Sequence, residues 1–147
     1  MPHADKEESC LTSVFRSKIM NTENTRKLTS HKVNGLNEAL HITVMDQPGQ
    51  GGANHIYKIE LQPQPNVVQE LCEIKFQNGP IKESGFNGLS GEALLAIVED
   101  RLKCFQAGQY ACRENAIALT HIQEAMHWLH HRTNERLQRG VEGTNIK

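Results

Sequence analysis

From Leu40 the chain alternates apolar and polar positions with a period of two, Leu40, Ile42 and Val44 facing one way and His41, Thr43 and Met45 the other, which predicts a β-strand. Gln47-Pro48-Gly49-Gln50-Gly51-Gly52 then breaks the pattern with one Pro and three Gly residues, giving a loop whose backbone is open to close approach. A second strand is expected over about Asn54 to Leu61, with Tyr57, Ile59 and Leu61 on one face. A third follows the turn Gln62-Pro63-Gln64-Pro65-Asn66, running from Val67 to Phe76 with Val68, Cys72, Ile74 and Phe76 on one face, interrupted by Glu70. Short polar turns make this a small, mainly antiparallel sheet.

Beyond the sheet the period changes to that of a helix. Ser90 is placed to cap a helix over about 90–107, whose apolar face is Leu94, Leu95, Ile97, Val98, Leu102 and Phe105 and whose end is Gly108. A second helix over about 111–139 repeats Ala118, Ile122, Ala125, Met126 and Leu129 and closes on Arg136, Arg139 and Gly140, cations and a glycine that suit a helix C-terminus. So short a connection implies an antiparallel hairpin, and the longer second helix carries apolar surface for another chain. The expected fold class is α+β: a small antiparallel β-sheet followed by a C-terminal antiparallel helical hairpin, oligomeric. Residues 1–30, polar and without sustained periodicity, read as a flexible arm, although Leu11, Val14, Phe15 and Ile19 fit a short amphipathic helix. Residues 31–147 read as a single domain, β-rich over 38–80 and helical over 89–140.

Length and charge narrow the partners. At 147 residues the chain holds one compact domain, and its net charge of -1 argues against a general binder of DNA or RNA polymers. No apolar run is long enough to span a bilayer and the first residues lack the apolar core of a secretion signal, so no membrane partner is expected and the default is a cytosolic protein. Cys10, Cys72, Cys104 and Cys112 form no CxxC pair and are expected to be free thiols.

The enzymatic and metal signatures are missing. The loop from Pro48 to Asn54 has neither GxxxxGK[ST] nor GxGxxG and is better read as a strand connection. Among His121, His127, His130 and His131, the residues 127 and 131 share a helix face, but no carboxylate or cysteine stands at a usual third-ligand position and HExxH is absent. Solvated or interface histidines are expected, with no metal and no cofactor. Glu99, Asp100 and Glu114 are ordinary acids of amphipathic helices, and no GxSxG or Cys-His signature marks a nucleophile.

The strongest constellation joins Phe76, Asn78 and Asn87 to Arg113 and Asn115 at the start of the second helix, with His55 as a further polar contact and Arg101 and Arg132 offered by charge for a second anion site. An aromatic can stack on a base, a guanidinium can pair with phosphate oxygens, and amides can read base or ribose edges. The structural alternative makes Phe76 a core residue, Asn78-Gly79-Pro80 a turn, and Arg113 the partner of Glu114 or Asp100. Residue chemistry alone leaves the two readings level.

The strings Met45-Asp46-Gln47-Pro48-Gly49, Gly51-Gly52-Ala53-Asn54-His55-Ile56-Tyr57, Phe76-Gln77-Asn78-Gly79-Pro80-Ile81, Ala93-Leu94-Leu95-Ala96-Ile97-Val98, Cys112-Arg113-Glu114-Asn115-Ala116 and Arg139-Gly140-Val141-Glu142-Gly143-Thr144 together resemble the phage anti-Thoeris sponge proteins, which share a helical-hairpin module with anti-CBASS sponges. The resemblance covers roughly Leu40 to Thr144. It implies a phage protein of the infected bacterial cytoplasm that sequesters cyclic nucleotide immune signals without degrading them: cyclic ADP-ribose isomers, and in some members cyclic di- or trinucleotides at a separate site. It implies a homohexamer built from dimers, binding rather than catalysis, with Phe76 as the base-stacking aromatic and Arg113 as the phosphate contact. On this reading the turn after Phe76 and the Arg113 helix start form two walls of one pocket across a subunit contact. The alternatives are a cyclic-nucleotide phosphodiesterase and a ligand-free oligomeric scaffold.

Overall fold

The computed structural model describes residues 25–147, so the amphipathic pattern of Leu11 to Ile19 lies outside the described residues. The fold is α+β: a four-stranded antiparallel sheet in the order β1-β2-β3-β4, followed by helices. The strands are β1 (Arg26–Leu28), β2 (Leu40–Val44), β3 (Ile56–Gln64) and β4 (Val67–Lys75), with a short helix α1 (Gly35–Ala39) between the first two. After β4 come α2 (Ile81–Ser84), α3 (Gly91–Ala107) and α4 (Arg113–Gln138). The helical hairpin falls where its periodicity places it. The sheet begins earlier than expected: β1 lies inside the stretch read as an arm, and Leu28 pairs with Ile42 of β2. A three-residue strand carries too little alternation to stand out from polar sequence.

Cross-strand register collects the apolar face. Leu40, Ile42 and Val44 stand opposite Leu61, Ile59 and Tyr57, and Tyr57 and Ile59 stand opposite Ile74 and Cys72, so these side chains share one side of the sheet. The interruption at Glu70 has a geometric cause. Between Ile59 and Glu60 the β3–β4 register shifts, Ile59 pairing with Cys72 but Glu60 with Glu70. The bulge moves Glu70 to the polar face. There Lys58 Nζ lies 2.7 Å from Glu60 and 3.1 Å from Glu70, joining two carboxylates that would otherwise repel across the ladder. The second shift, between Leu61 and Gln64, spans Pro63, which has no N–H to give the ladder.

The hairpin is capped at each end. Ser90 Oγ accepts the Ala93 N–H at 3.2 Å and Cys112 Sγ accepts that of Asn115 at 3.5 Å. At the far end of α4, Gly140 adopts φ 69°. Its N–H reaches Leu137 O while the Val141 N–H reaches Arg136 O, a pairing that turns the chain sharply out of the helix. Glu99 ties the two helices together, its Oε1 accepting from Lys103 Nζ at 2.7 Å and from Gln123 Nε2 at 3.3 Å. These partners, Lys103 first, hold the Glu99 carboxyl below its ordinary range.

Little of the single chain is buried among the described residues. Val44 is 1% exposed, the one buried hydrophobic side chain among the described residues, whereas Ile97 and Trp128 of the hairpin are 65% and 66% exposed. The hairpin does not pack against the strands; it joins the sheet through residues 76–90, where Phe76 bridges Leu89. Gly88 makes that bridge possible, because a Cβ there would strike the Phe76 carbonyl and the Gln77 nitrogen.

Gly88→Ala is therefore expected to destabilise the fold by about 1–3 kcal/mol, the range for overpacking against unyielding atoms, as read by urea denaturation. Because the folded-state carboxyl of Glu99 is depressed, its contribution is present above the unfolded carboxylate range and is lost as pH falls through the lower folded value. The melting difference between the protein and Glu99→Gln should accordingly shrink below about pH 4 in a pH series of thermal melts.

Candidate functional site

The residues singled out in the sequence fall into two groups at opposite ends of the hairpin. The first lies where the sheet meets the helices. Asp46 organises the glycine-rich loop: its carboxylate accepts the N–H groups of His55 at 2.8 Å and Ile56 at 3.0 Å, and its carbonyl accepts from Asn54 Nδ2 at 2.7 Å. Gly51 and Gly52 take φ 76° and 77°, the left-handed region that glycine enters without strain. Gly49 lies against His55, so that an added Cβ would stand 3.0 Å from the imidazole Cε1. His55 is 7% exposed, and its Nδ1 has no hydrogen-bond partner. The nearest acid, Asp46, is 3.8 Å from that nitrogen.

The turn after Phe76 is held by amides acting as backbone substitutes. Gln77 Nε2 donates to the carbonyls of Gly79 at 3.0 Å and Gly85 at 2.7 Å while its Oε1 accepts the Asn87 N–H. Asn87 in turn accepts the Asn78 N–H and donates to the Asn78 carbonyl, both at 2.8 Å. Asn87 thus spends its amide on the turn. Phe76 meets Tyr57 edge to face at 5.6 Å, so its ring serves the apolar side of the sheet.

The cation at this end is Arg136, which the sequence reading assigned only to the helix C-terminus. Its guanidinium donates from Nε to Glu142 at 2.9 Å, from Nη1 to Ile146 O, and from Nη2 to Val141 O and Thr144 O. The last residues are thereby folded back as a strap. Asn145 extends it, accepting from Gln50 and donating to Glu83, each a link to another segment of the chain. Between strap, turn and glycine loop lies a cavity of about 340 Å³ lined by Gln50, His55, Gln77, Ile81, Arg136 and Glu142, among others. The position of Arg136 just before the Gly140-Val141-Glu142-Gly143-Thr144 run was the available signal, but nothing in the period of α4 distinguishes a strap anchor from a solvated cation.

The second group is the hairpin tip. Arg101 lies over the Phe105 ring, 4.8 Å from its centroid, and Tyr110 meets the same ring edge-on at 6.4 Å. Tyr110 is 66% exposed. Arg113 and Asn115 open α4 immediately beyond it. Within one protomer Arg113 and the Phe76 turn do not meet, for the 17 residues of α3 separate them, about 25 Å of helix. No ion pair joins Arg113 to Glu114 or Asp100 among the described residues, so the structural alternative for Arg113 is absent from the protomer. Phe105 and Tyr110 drew no functional notice in the sequence because their spacing also fits a helix core and its end.

Removal of the Arg136 clamp should release the strap without unfolding α4. In Arg136→Ala, amide exchange of residues 141–146 is expected to accelerate by about tenfold or more, with the exchange of the central α4 amides unchanged, as measured by hydrogen–deuterium exchange.

Comparison with known proteins places this arrangement. Residues 69–133 match the family model described as Acb2/Tad1, hairpin domain, a span that runs from β4 through most of α4. A protein of Bacillus phage SBSphiJ7 named Thoeris anti-defense 1 is 51% identical over 78 residues, which are 53% of this chain and 55% of that protein. The match thus spans about half the length of that curated relative. The hairpin of this chain is thus similar to the Acb2/Tad1 hairpin domain, and about half of the 78 aligned residues are identical to those of a phage protein named Thoeris anti-defense 1.

Proposed function

We propose that this protein is a phage anti-defence protein that binds and sequesters cyclic nucleotide immune signals without degrading them. Cyclic ADP-ribose isomers are the first ligand class and cyclic di- and trinucleotides the second, in the cytoplasm of the infected bacterium. The observation that carries the reading is the hairpin tip, where two aromatic rings and the guanidinium of Arg101 lie together beside the Arg113 and Asn115 helix start. Stacking surface, fixed cation and amide are the groups that a phosphorylated purine ring system engages, and a helix N-terminus favours its anionic part. The proposed base-stacking aromatics are Phe105 and Tyr110 in place of Phe76, whose ring is committed to Tyr57. His55, Asn78 and the cavity beside Arg136 supply polar groups for the second class.

Sequestration asks little of the chemistry. A sponge acts by mass action, so it gains from affinity and copy number and nothing from stabilising a transition state. It also gains from assembly. Ile97, Ile117 and Phe86 are all more than two-fifths exposed in the single chain, an apolar area suited to self-association, and a homohexamer with ligands held between subunits accounts for it.

The test is a thermal shift of the purified protein with a cyclic ADP-ribose isomer, then heating and mass analysis of the released ligand. The melting temperature should rise and the ligand return intact; a linear product would instead mark a phosphodiesterase. Arg113→Ala is expected to weaken binding by about 1.5–3 kcal/mol by calorimetry; an unchanged affinity in that variant and in Phe105→Leu would place the ligand away from the hairpin tip, and no binding by the unsubstituted protein would mark a scaffold.

A further inference from the structure

The middle of α4 carries imidazoles that the proposed binding function does not use. His127 and His131 stand four residues apart on one face of the helix, their ring centroids 6.4 Å apart. Trp128 completes a three-ring cluster, its centroid 5.6 Å from that of His127 and 5.7 Å from that of His131. With Trp128 66% exposed, the cluster faces solvent in the protomer. Glu135, one turn further, places its Oε1 3.8 Å from His131 Nε2, which adds negative charge beside that nitrogen.

The geometry points to a two-histidine chelate on α4 for a divalent cation of the zinc, nickel and copper class. Side chains at i and i+4 lean toward the helix N-terminus over the same surface, so rotation about their side-chain torsions brings both imidazoles to one ion. Imidazole nitrogen selects these borderline cations over magnesium and calcium, which take oxygen ligands. Among the described residues no group of three or more His, Cys, Asp or Glu side chains is placed to hold a metal. The chelate is therefore bidentate, with water in the remaining positions and Glu135 acting through charge. A bound ion ties one turn of α4 to the next, and its binding free energy adds to the stability of that helix. The inference stands on these side chains and is independent of the nucleotide reading.

Trp128 is the chain's one tryptophan and so a direct reporter. The untagged full-length protein, in whatever assembly it adopts, is titrated with nickel chloride at pH 7.5 while tryptophan fluorescence is followed. The same titration is run on His127→Asn and His131→Asn, with circular dichroism to check that α4 persists. Saturable quenching is expected at one nickel ion per chain, weaker by about tenfold or more in each single variant. Equal affinity in the protein and both variants would assign the ion to other groups, such as the thiols of Cys72, Cys104 and Cys112, and overturn the proposal. Absence of saturable quenching overturns it as well, including the case in which a second copy covers the cluster.

Discussion

A guanidinium has five donors, no acceptor and a fixed planar fork, and at the C-terminal end of α4 that geometry decides how the chain finishes. Arg136 gives its donors to Glu142 and to the carbonyls of Val141, Thr144 and Ile146. Gly140 first turns the backbone out of the helix, so the following residues arrive within reach of the same arginine. The strap then docks on α2: the Lys82 N–H donates to Gly143 O, and a Cβ on Gly143 would press on Ile81. Through Asn145 and Gln50 it also reaches the glycine loop. One side chain thus closes the route from hairpin back to sheet, and the cavity between them exists because that route is closed.

This matters because the chain has little else to hold its halves in register. The sheet has an apolar face but only a five-residue helix packed against it, and the hairpin packs on itself. Polar contacts take the place of a shared core: Asp46 fixes the loop, Gln77 and Asn87 fix the turn, Arg136 fixes the strap. Such contacts are directional, and each contributes modestly net of the water it displaces. They set geometry more than they add stability. If the proposed assembly forms, it would supply apolar burial that the single chain lacks.

The hairpin was legible in the sequence because helices of 17 and 26 residues repeat their period many times and carry recognisable caps in Ser90 and Gly140. Strands β2, β3 and β4 were legible for the same reason. What escaped was local or long-range. Strand β1 is three residues long, and the bulge that moves Glu70 to the polar face depends on pairing with β3, which alternation within β4 cannot report. The candidate site was legible in part as positions on elements: Arg113 and Asn115 open α4 and Arg101 lies on α3, whereas Phe105, the ring under Arg101, reads as core in the apolar stripe of α3. Phe76 and Asn87 drew notice by residue type and turned out to be engaged with Tyr57 and Asn78. Residue type names a capability; only the partners show whether it is already used.

The same distinction orders the two ends of the hairpin. At the Arg136 end the cation is largely engaged: four of its five N–H donors reach protein oxygens, so an incoming phosphate must compete with Glu142 and three carbonyls for most of its contacts. At the tip the Arg101 guanidinium rests on an aromatic face, and Arg113 meets no carboxylate among the described residues. A cation–π contact leaves the edge of the guanidinium free to donate, whereas a bidentate pair would not. On the proposed reading, a ligand at the tip would add hydrogen bonds without breaking any, whereas one at the strap would exchange old bonds for new. That difference makes the tip the better candidate for tight capture, and ties any occupancy of the strap end to how readily residues 141–146 give way.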